Sequence, residues 1–207
     1  MRYRKVPDET IRRLPGYLNG LLFLAKQGHE NISSHNLAEF LGVNPSQIRK
    51  DFSYFGGFGI RGRGYEIQNL IKQIGKILKL DTARPVALVG VGNLGSALLA
   101  YPGFAIYGFD LVAAFDSDPQ KIGKTKSNIT IEGIAGLDSV REKNIKIAII
   151  AVPRPAAQQI ADTLIQAGVT GILNFAPCYL KVPKKVKVVT INIATDLARL
   201  PYYMPQA

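Results

Sequence analysis

The sequence predicts an α/β protein: an N-terminal winged-helix domain followed by a Rossmann, doubly wound parallel-sheet domain and a C-terminal helix. Three observations carry this. The run Val86-Ala87-Leu88-Val89 leads directly into Gly90-Val91-Gly92-Asn93-Leu94-Gly95, and a second apolar run, Leu111 to Phe115, ends on Asp116. Continuous apolar runs after it alternate with helical patterns, the mark of parallel strands buried on both faces. Ahead of it, two short helical segments meet at Gly42-Val43, and a stretch rich in glycine and arginine follows them.

With 207 residues, the chain has room for about two domains. We divide it into residues 1–80, DNA-binding; 81–192, dinucleotide-binding; and 193–207, a terminal helix, with the first boundary at Asp81-Thr82-Ala83-Arg84-Pro85. No apolar run approaches the ~18 to 20 residues that span a bilayer. The start, Met1 to Asp8, lacks the apolar core of a signal peptide, and the single Cys178 excludes an internal disulfide framework. The expected location is cytoplasmic. Net charge is +11, with 13 Lys+Arg against 6 Asp+Glu up to residue 80 and 13 against 9 beyond it. The shorter part is the more basic, which points to a polyanion partner, nucleic acid ahead of an acidic membrane surface.

Residues 8 to 27 read as the first helix, with Ile11, Leu14, Leu18, Leu21, Leu22 and Ala25 at helical spacing, an irregularity at Pro15-Gly16 and a stop at Gly28. Ser33 or Ser34 caps a short helix that carries Leu37, Ala38, Phe40 and Leu41 and ends at Gly42. Asn44-Pro45-Ser46-Gln47 offers a cap, a proline at the first helical position and a glutamine to close a capping box. The helix so begun puts Ile48, Phe52 and Phe55 on one face and Ser46, Gln47, Arg49, Lys50 and Tyr54 on the other. In a helix-turn-helix this second helix enters the major groove of double-stranded DNA. Gly56 to Tyr65 then suits a small hairpin, or wing, whose Arg61, Gly62 and Arg63 reach a narrow, A·T-rich minor groove. Residues 66 to 80 form one more helix. His29 and His35 stand outside any cluster at ligand spacing, so no metal site is expected.

In the second part, Gly90 turns the chain off the strand, Gly92 admits a pyrophosphate, and Gly95 lets the helix lie close to the sheet. Phosphates would meet the helix start. Asp116, about twenty residues on, is placed to accept hydrogen bonds from a ribose diol, and no arginine follows closely, which favours NAD over NADP. A short strand at Thr130-Ile131 and a short helix from Ile134 to Lys143 lead to the strand Ile147 to Val152, whose end carries Val152 and Pro153 near the cofactor. A helix from Gln158 to Ala167 precedes the strand Gly171 to Phe175. Asn174, Phe175, Ala176 and Pro177 then line the nicotinamide end. Val186 to Ile193 is a last strand. The tail, Ala194 to Tyr203, reads as one amphipathic helix that either caps its own sheet or docks on a partner subunit.

The order of these parts resembles the redox-sensing transcriptional repressor family Rex. Matching segments are Ile48 to Gly56, the wing Gly59 to Tyr65, the turn Gly90 to Gly95, Tyr101-Pro102-Gly103-Phe104, Asn174 to Pro177 and Asp196-Leu197. The resemblance implies a homodimer with a swapped C-terminal helix, inserted between the two domains of the partner. It implies release from an A·T-rich inverted-repeat operator by NADH, with NAD+ the weaker competitor. It also implies that Tyr101 lies near the nicotinamide, and that an arginine of the first helix, Arg13 (next to Arg12), pairs with Asp196 in one state. Two rivals remain. One is a small NAD-dependent dehydrogenase, disfavoured because the Rossmann part holds neither histidine and no evident acid–base pair. The other keeps the fold and binds another ligand, such as a coenzyme A fragment.

Overall fold

The computed structural model describes residues 6–59 and 63–204. The described residues up to Thr82 form one compact unit and those from Ala83 onward a second.

The first unit is helical. α1 (Asp8–Lys26) buries Thr10, Leu14, Tyr17, Leu18, Leu21 and Leu24 on one face and runs unbroken through Pro15. That proline is exposed, and without an N–H it leaves the Ile11 carbonyl without its usual helical partner. β1 (Asn31–Ile32) precedes α2 (Ser34–Leu41), and α3 (Pro45–Ser53) follows. Ser33 caps α2 by accepting from the Asn36 N–H at 3.0 Å, and Gly42 ends it in the left-handed region at φ 65°. Asn44 caps α3 by accepting from the Ser46 N–H at 2.9 Å. The expected capping box does not close, because the Gln47 side chain turns inward to Asp51 instead. β2 (Tyr65–Glu66) pairs antiparallel with β1, Ile32 opposite Tyr65. Among the described residues, then, the wing's returning strand is held by a segment before α2, and the tip of the expected hairpin, Ile60 to Gly62, lies outside the described residues. α4 (Ile67–Ile77) stops short of the expected residue 80; the N–H groups of Leu78 and Leu80 bond back to Ile74 and Gly75, closing the helix end. Leu14, Leu21, Leu37, Ile48, Ile67, Leu70 and Ile74 are fully buried and form the shared core.

The second unit is a seven-stranded sheet. In chain order come β3 (Arg84–Val89), α5 (Asn93–Leu99), α6 (Gly103–Ile106), β4 (Phe109–Asp116), β5 (Thr125–Lys126) and β6 (Ile129–Gly133). A 3-10 turn at Ile134–Asp138 leads to α7 (Ser139–Glu142), β7 (Ile147–Ile150), α8 (Arg154–Gln166), β8 (Gly171–Asn174) and β9 (Lys187–Thr190). The order across the sheet is β5-β6-β4-β3-β7-β8-β9, and every pair is parallel except β5 with β6. Without the β5 edge this is the strand order of a dinucleotide fold, reversing direction between β3 and β7. Alternate residues supply both faces. Ala87, Val89, Phe115 and Ile150 pack into one core with Ala157, Ala161 and Leu164 of α8, while Val86, Leu88, Ala114 and Ile149 pack into another with Leu99. Helix α8 begins four residues before the expected Gln158, at the Arg154-Pro155 pair, since proline suits a first helical turn.

The tail departs from the single helix expected. It forms α9 (Ile193–Leu197) and α10 (Leu200–Tyr203), separated at Ala198-Arg199. Pro201 has no N–H to give, and its ring collides with the carbonyl four residues back, that of Leu197, so the first helix ends there. Ile193, Leu197, Leu200, Tyr202, Tyr203 and Met204 are all more than half exposed. None of the described helices is long and apolar enough to cross a membrane.

Candidate nucleotide and nucleic-acid sites

The carboxyl ends of the central strands set out the first site in order. Phe115 of β4 lies opposite Val89 of β3, Val89 opposite Ile150 of β7, and Ile150 opposite Asn174 of β8. The segments that leave those ends are therefore neighbours: Asp116, the glycine turn, Val152-Pro153, and Phe175 to Pro177. This is the crevice where open α/β sheets take ligands.

Each glycine of the turn has a separate reason. Gly90 sits at φ 95°, and a Cβ there would come within 2.5 Å of the Ala151 carbonyl oxygen. At Gly95 a Cβ would overlap the Gly90 carbonyl oxygen outright. At Gly92 nothing lies within 4 Å of where a Cβ would stand, so a side chain there would fill only the approach to the turn. Two of the three glycines are thus demanded by the protein's own packing, and Gly92 leaves the approach to the start of α5 open. Asn93 and Leu94, at the start of α5, are exposed beside it, and Val91 is buried.

Asp116 is almost fully buried and holds the turn from the other side. Its Oδ2 accepts from the Val91 N–H at 2.7 Å and from Lys121 Nζ at 3.2 Å, and its Oδ1 accepts from the Asp118 N–H at 2.9 Å. Burial pushes the carboxyl up, but these donors outweigh it and hold it below the ordinary aspartate value. Lys121 also lies 3.6 Å from Asp118. A cation at this end was missed in the sequence because it stands five residues past the acid, across a turn that periodicity does not resolve.

At the other end Asn174 is 0% exposed, and its side chain is spent on its own loop: Nδ2 donates to the carbonyls of Ala176 (3.1 Å) and Cys178 (2.9 Å), and Oδ1 accepts from the Ala176 N–H at 3.0 Å. It shapes the lining rather than facing a ligand. Ala176 is buried with it; Phe175 is half-buried and Pro177 exposed. Val152 is half-buried and Pro153 exposed at the start of α8. Tyr101 is 58% exposed and rests edge-on against Phe104, ring centres 5.3 Å apart.

The second site lies in the helical unit. Ser46, Arg49 and Lys50 project from α3 to solvent, while Tyr54, just past its end, is half-buried. Arg49 donates to the Ser34 hydroxyl at 3.1 Å. With Arg63, both line an open groove floored by Phe52 and Tyr65. Arg61 and Gly62 lie outside the described residues. Gln47 donates to a buried carboxylate, Asp51, which also takes both Nε and Nη2 of Arg13 (2.7 and 2.8 Å), the Tyr17 hydroxyl (2.7 Å) and the Thr10 hydroxyl (2.9 Å). Burial raises the Asp51 carboxyl, but hydrogen bonds from Arg13, Tyr17, Thr10 and Gln47 bring it down to about 2. The same contact with Asp51 raises the Arg13 guanidinium, and burial pushes up the Tyr17 hydroxyl. An acid between Ile48 and Phe52 on the apolar face was the available signal for this cluster. Arg12 pairs along its own helix with Asp8 and Glu9, and Asp196 lies 3.6 Å from Arg199.

Two family models match the chain: one described as "CoA binding domain" over residues 81–178, the other as "Putative DNA-binding protein N-terminus" over residues 5–53. The redox-sensing transcriptional repressor Rex of Chloroflexus aurantiacus is 46% identical over 199 residues, 96% of this chain and 94% of its own. The chain belongs to the Rex family. The Rex of Desulfitobacterium hafniense is likewise 46% identical, over 98% of this chain and 97% of its own, and that of Streptomyces coelicolor is 42% identical over 98% and 79%. Among solved structures, the chain superposes on the Rex-family repressor RSP in complex with NAD+ and operator DNA with a TM-score of 0.90, at 36% identity over 97% of this chain and 93% of that one. The NADH complex of RSP gives 0.89 at 35% identity, covering 97% and 94%. As a Rex protein the chain is a redox-sensing transcriptional repressor and not a dehydrogenase.

Proposed function

We propose that the chain represses transcription as a homodimer on an A·T-rich inverted-repeat operator, and that NADH bound in its Rossmann unit releases it, with NAD+ the weaker competitor. The observation that carries the nucleotide half is the glycine turn at the carboxyl end of β3, where Gly90 and Gly95 pack too closely for any side chain and Gly92 leaves the approach open. Gly90 to Gly95 would hold the pyrophosphate, Asp116 a ribose hydroxyl through the lone pair its three donors leave on Oδ1, and Tyr101 with the Val152-Pro153 and Asn174 to Pro177 segments the nicotinamide end. When bound, the nicotinamide supplies the signal, because it is positive when oxidised and neutral when reduced. A ligand shifts an equilibrium only through differential affinity for two states. Discrimination must therefore come from the ring's surroundings, where an apolar slot with Tyr101 and Phe104 disfavours the charged form.

On the DNA side, Ser46, Arg49, Lys50 and Tyr54 would meet the major groove, and Arg61, Gly62 and Arg63 the minor groove; Gln47, expected among the groove contacts, is instead bonded to Asp51 and braces the helix from within. The apolar tail, exposed in the single chain, fits a helix swapped into a partner subunit. Closing the dimer would move two reading helices off a half-site separation of ~34 Å. Arg13 with Asp196 would act between domains, and the whole would work in the cytoplasm. RSP is described with NAD+, NADH and operator DNA, which supports this reading by similarity. Substitution tests it: Arg49→Ala and Lys50→Ala should each weaken operator binding and reduce its salt dependence by roughly one phosphate contact, with NADH affinity unchanged. Loss of NADH binding as well would make α3 a merely structural helix.

A further inference from the structure

Helix α3 buries Ile48, Asp51 and Phe52, so one of the three side chains that seat it is a carboxylate. Thr10, Arg13 and Tyr17, all on one face of α1, converge on that carboxylate, and Gln47 joins them from one turn earlier on α3. Apolar side chains of similar volume in place of a buried ion pair are often as stable or more so, so stability alone does not explain the cluster. What directed bonds add is orientation. Apolar contact tolerates some rolling of one helix on another, whereas four bonds from α1 to the two oxygens of one α3 carboxylate fix the roll.

We propose that Asp51 is a positioning residue for operator reading, setting the roll of α3 so that Ser46, Arg49 and Lys50 present one fixed face. This rests on the reading of α3 as the groove helix. Arg13 is the cluster's one charged donor, and its side chain is 32% exposed while that of Asp51 is 1% exposed.

The test compares two probes on the full-length protein: an A·T-rich inverted-repeat duplex and a scrambled duplex of equal length, by fluorescence anisotropy. For Asp51→Asn and Arg13→Gln, inverted-repeat affinity should fall about tenfold or more, while scrambled-duplex affinity stays within about twofold because the exposed cations remain. Arg13→Lys, which keeps the charge but not the paired bonds, should fall between. A parallel loss on both duplexes, or an unchanged ratio, overturns the proposal. Should Asp51→Asn lose its helical circular dichroism, Thr10→Val and Arg13→Lys decide by the same ratio. An unaltered protein with no preference between the duplexes would take down the reading of α3 itself.

Discussion

Asp116 and Lys121 show how much one contact can change a reading of specificity. The acid alone repels a 2′-phosphate, but Lys121 Nζ lies 3.2 Å from it and neutralises part of that repulsion. Asp116→Asn should weaken NADH and NAD+ alike by about ten- to a hundredfold, the worth of a hydrogen bond to a charged group. Fluorescence titration reads this directly, and unchanged affinity would remove Asp116 from the site. Lys121→Ala should weaken NADPH severalfold more than NADH, roughly the value of a half-exposed charge pair; equal effects on the two would place Lys121 away from the 2′ position. Gly95→Ala, whose Cβ would overlap a backbone oxygen, should cost NADH affinity at least about tenfold, since backbone must shift to admit it. The glycines and Asp116 were legible in the sequence because each answers a backbone or spacing demand that few other residues meet. Lys121 and the inward turn of Gln47 were not, because both depend on contacts across a turn or between helices.

At the scale of the element, α3 is held by an aromatic hub as well as by Asp51. Phe52 meets Tyr17, Phe58 and Tyr65 edge-on at 5.6, 5.4 and 5.3 Å, tying α1, the wing and β2 to the reading helix. Phe52→Ala should destabilise the N-terminal unit by about 3–5 kcal/mol, seen as a lowered first melting transition with the nucleotide-binding unit intact. Acid should act on the same element. The folded Asp51 pKa, about 2, lies below the ordinary ~3.9, so its stabilisation is full above about pH 4 and is lost as pH falls towards 2. The stability gap between the unaltered protein and Asp51→Asn should therefore narrow between pH 4 and 2; a constant gap would contradict that stabilisation. Helix periodicity made most elements legible, whereas the tail break was missed because amphipathic spacing continues across Pro201 although the backbone cannot.

Over the whole molecule, the parallel sheet and the helix-turn-helix were readable because each rests on local patterns: apolar runs, caps and glycine turns; the antiparallel β5 edge, two residues long, carried no such pattern. How the two units communicate is not written in any local pattern, since it lies in the balance between two arrangements of a dimer. Moving that balance from 1:99 to 99:1 takes ~5.5 kcal/mol of differential binding between the two nicotinamide states. The most direct measurement is anisotropy of a labelled A·T-rich inverted-repeat duplex at fixed salt, titrating NADH against NAD+. The account predicts release by NADH at concentrations where NAD+ leaves the complex intact. Retention of the DNA at saturating NADH, or equal release by both forms, would contradict it.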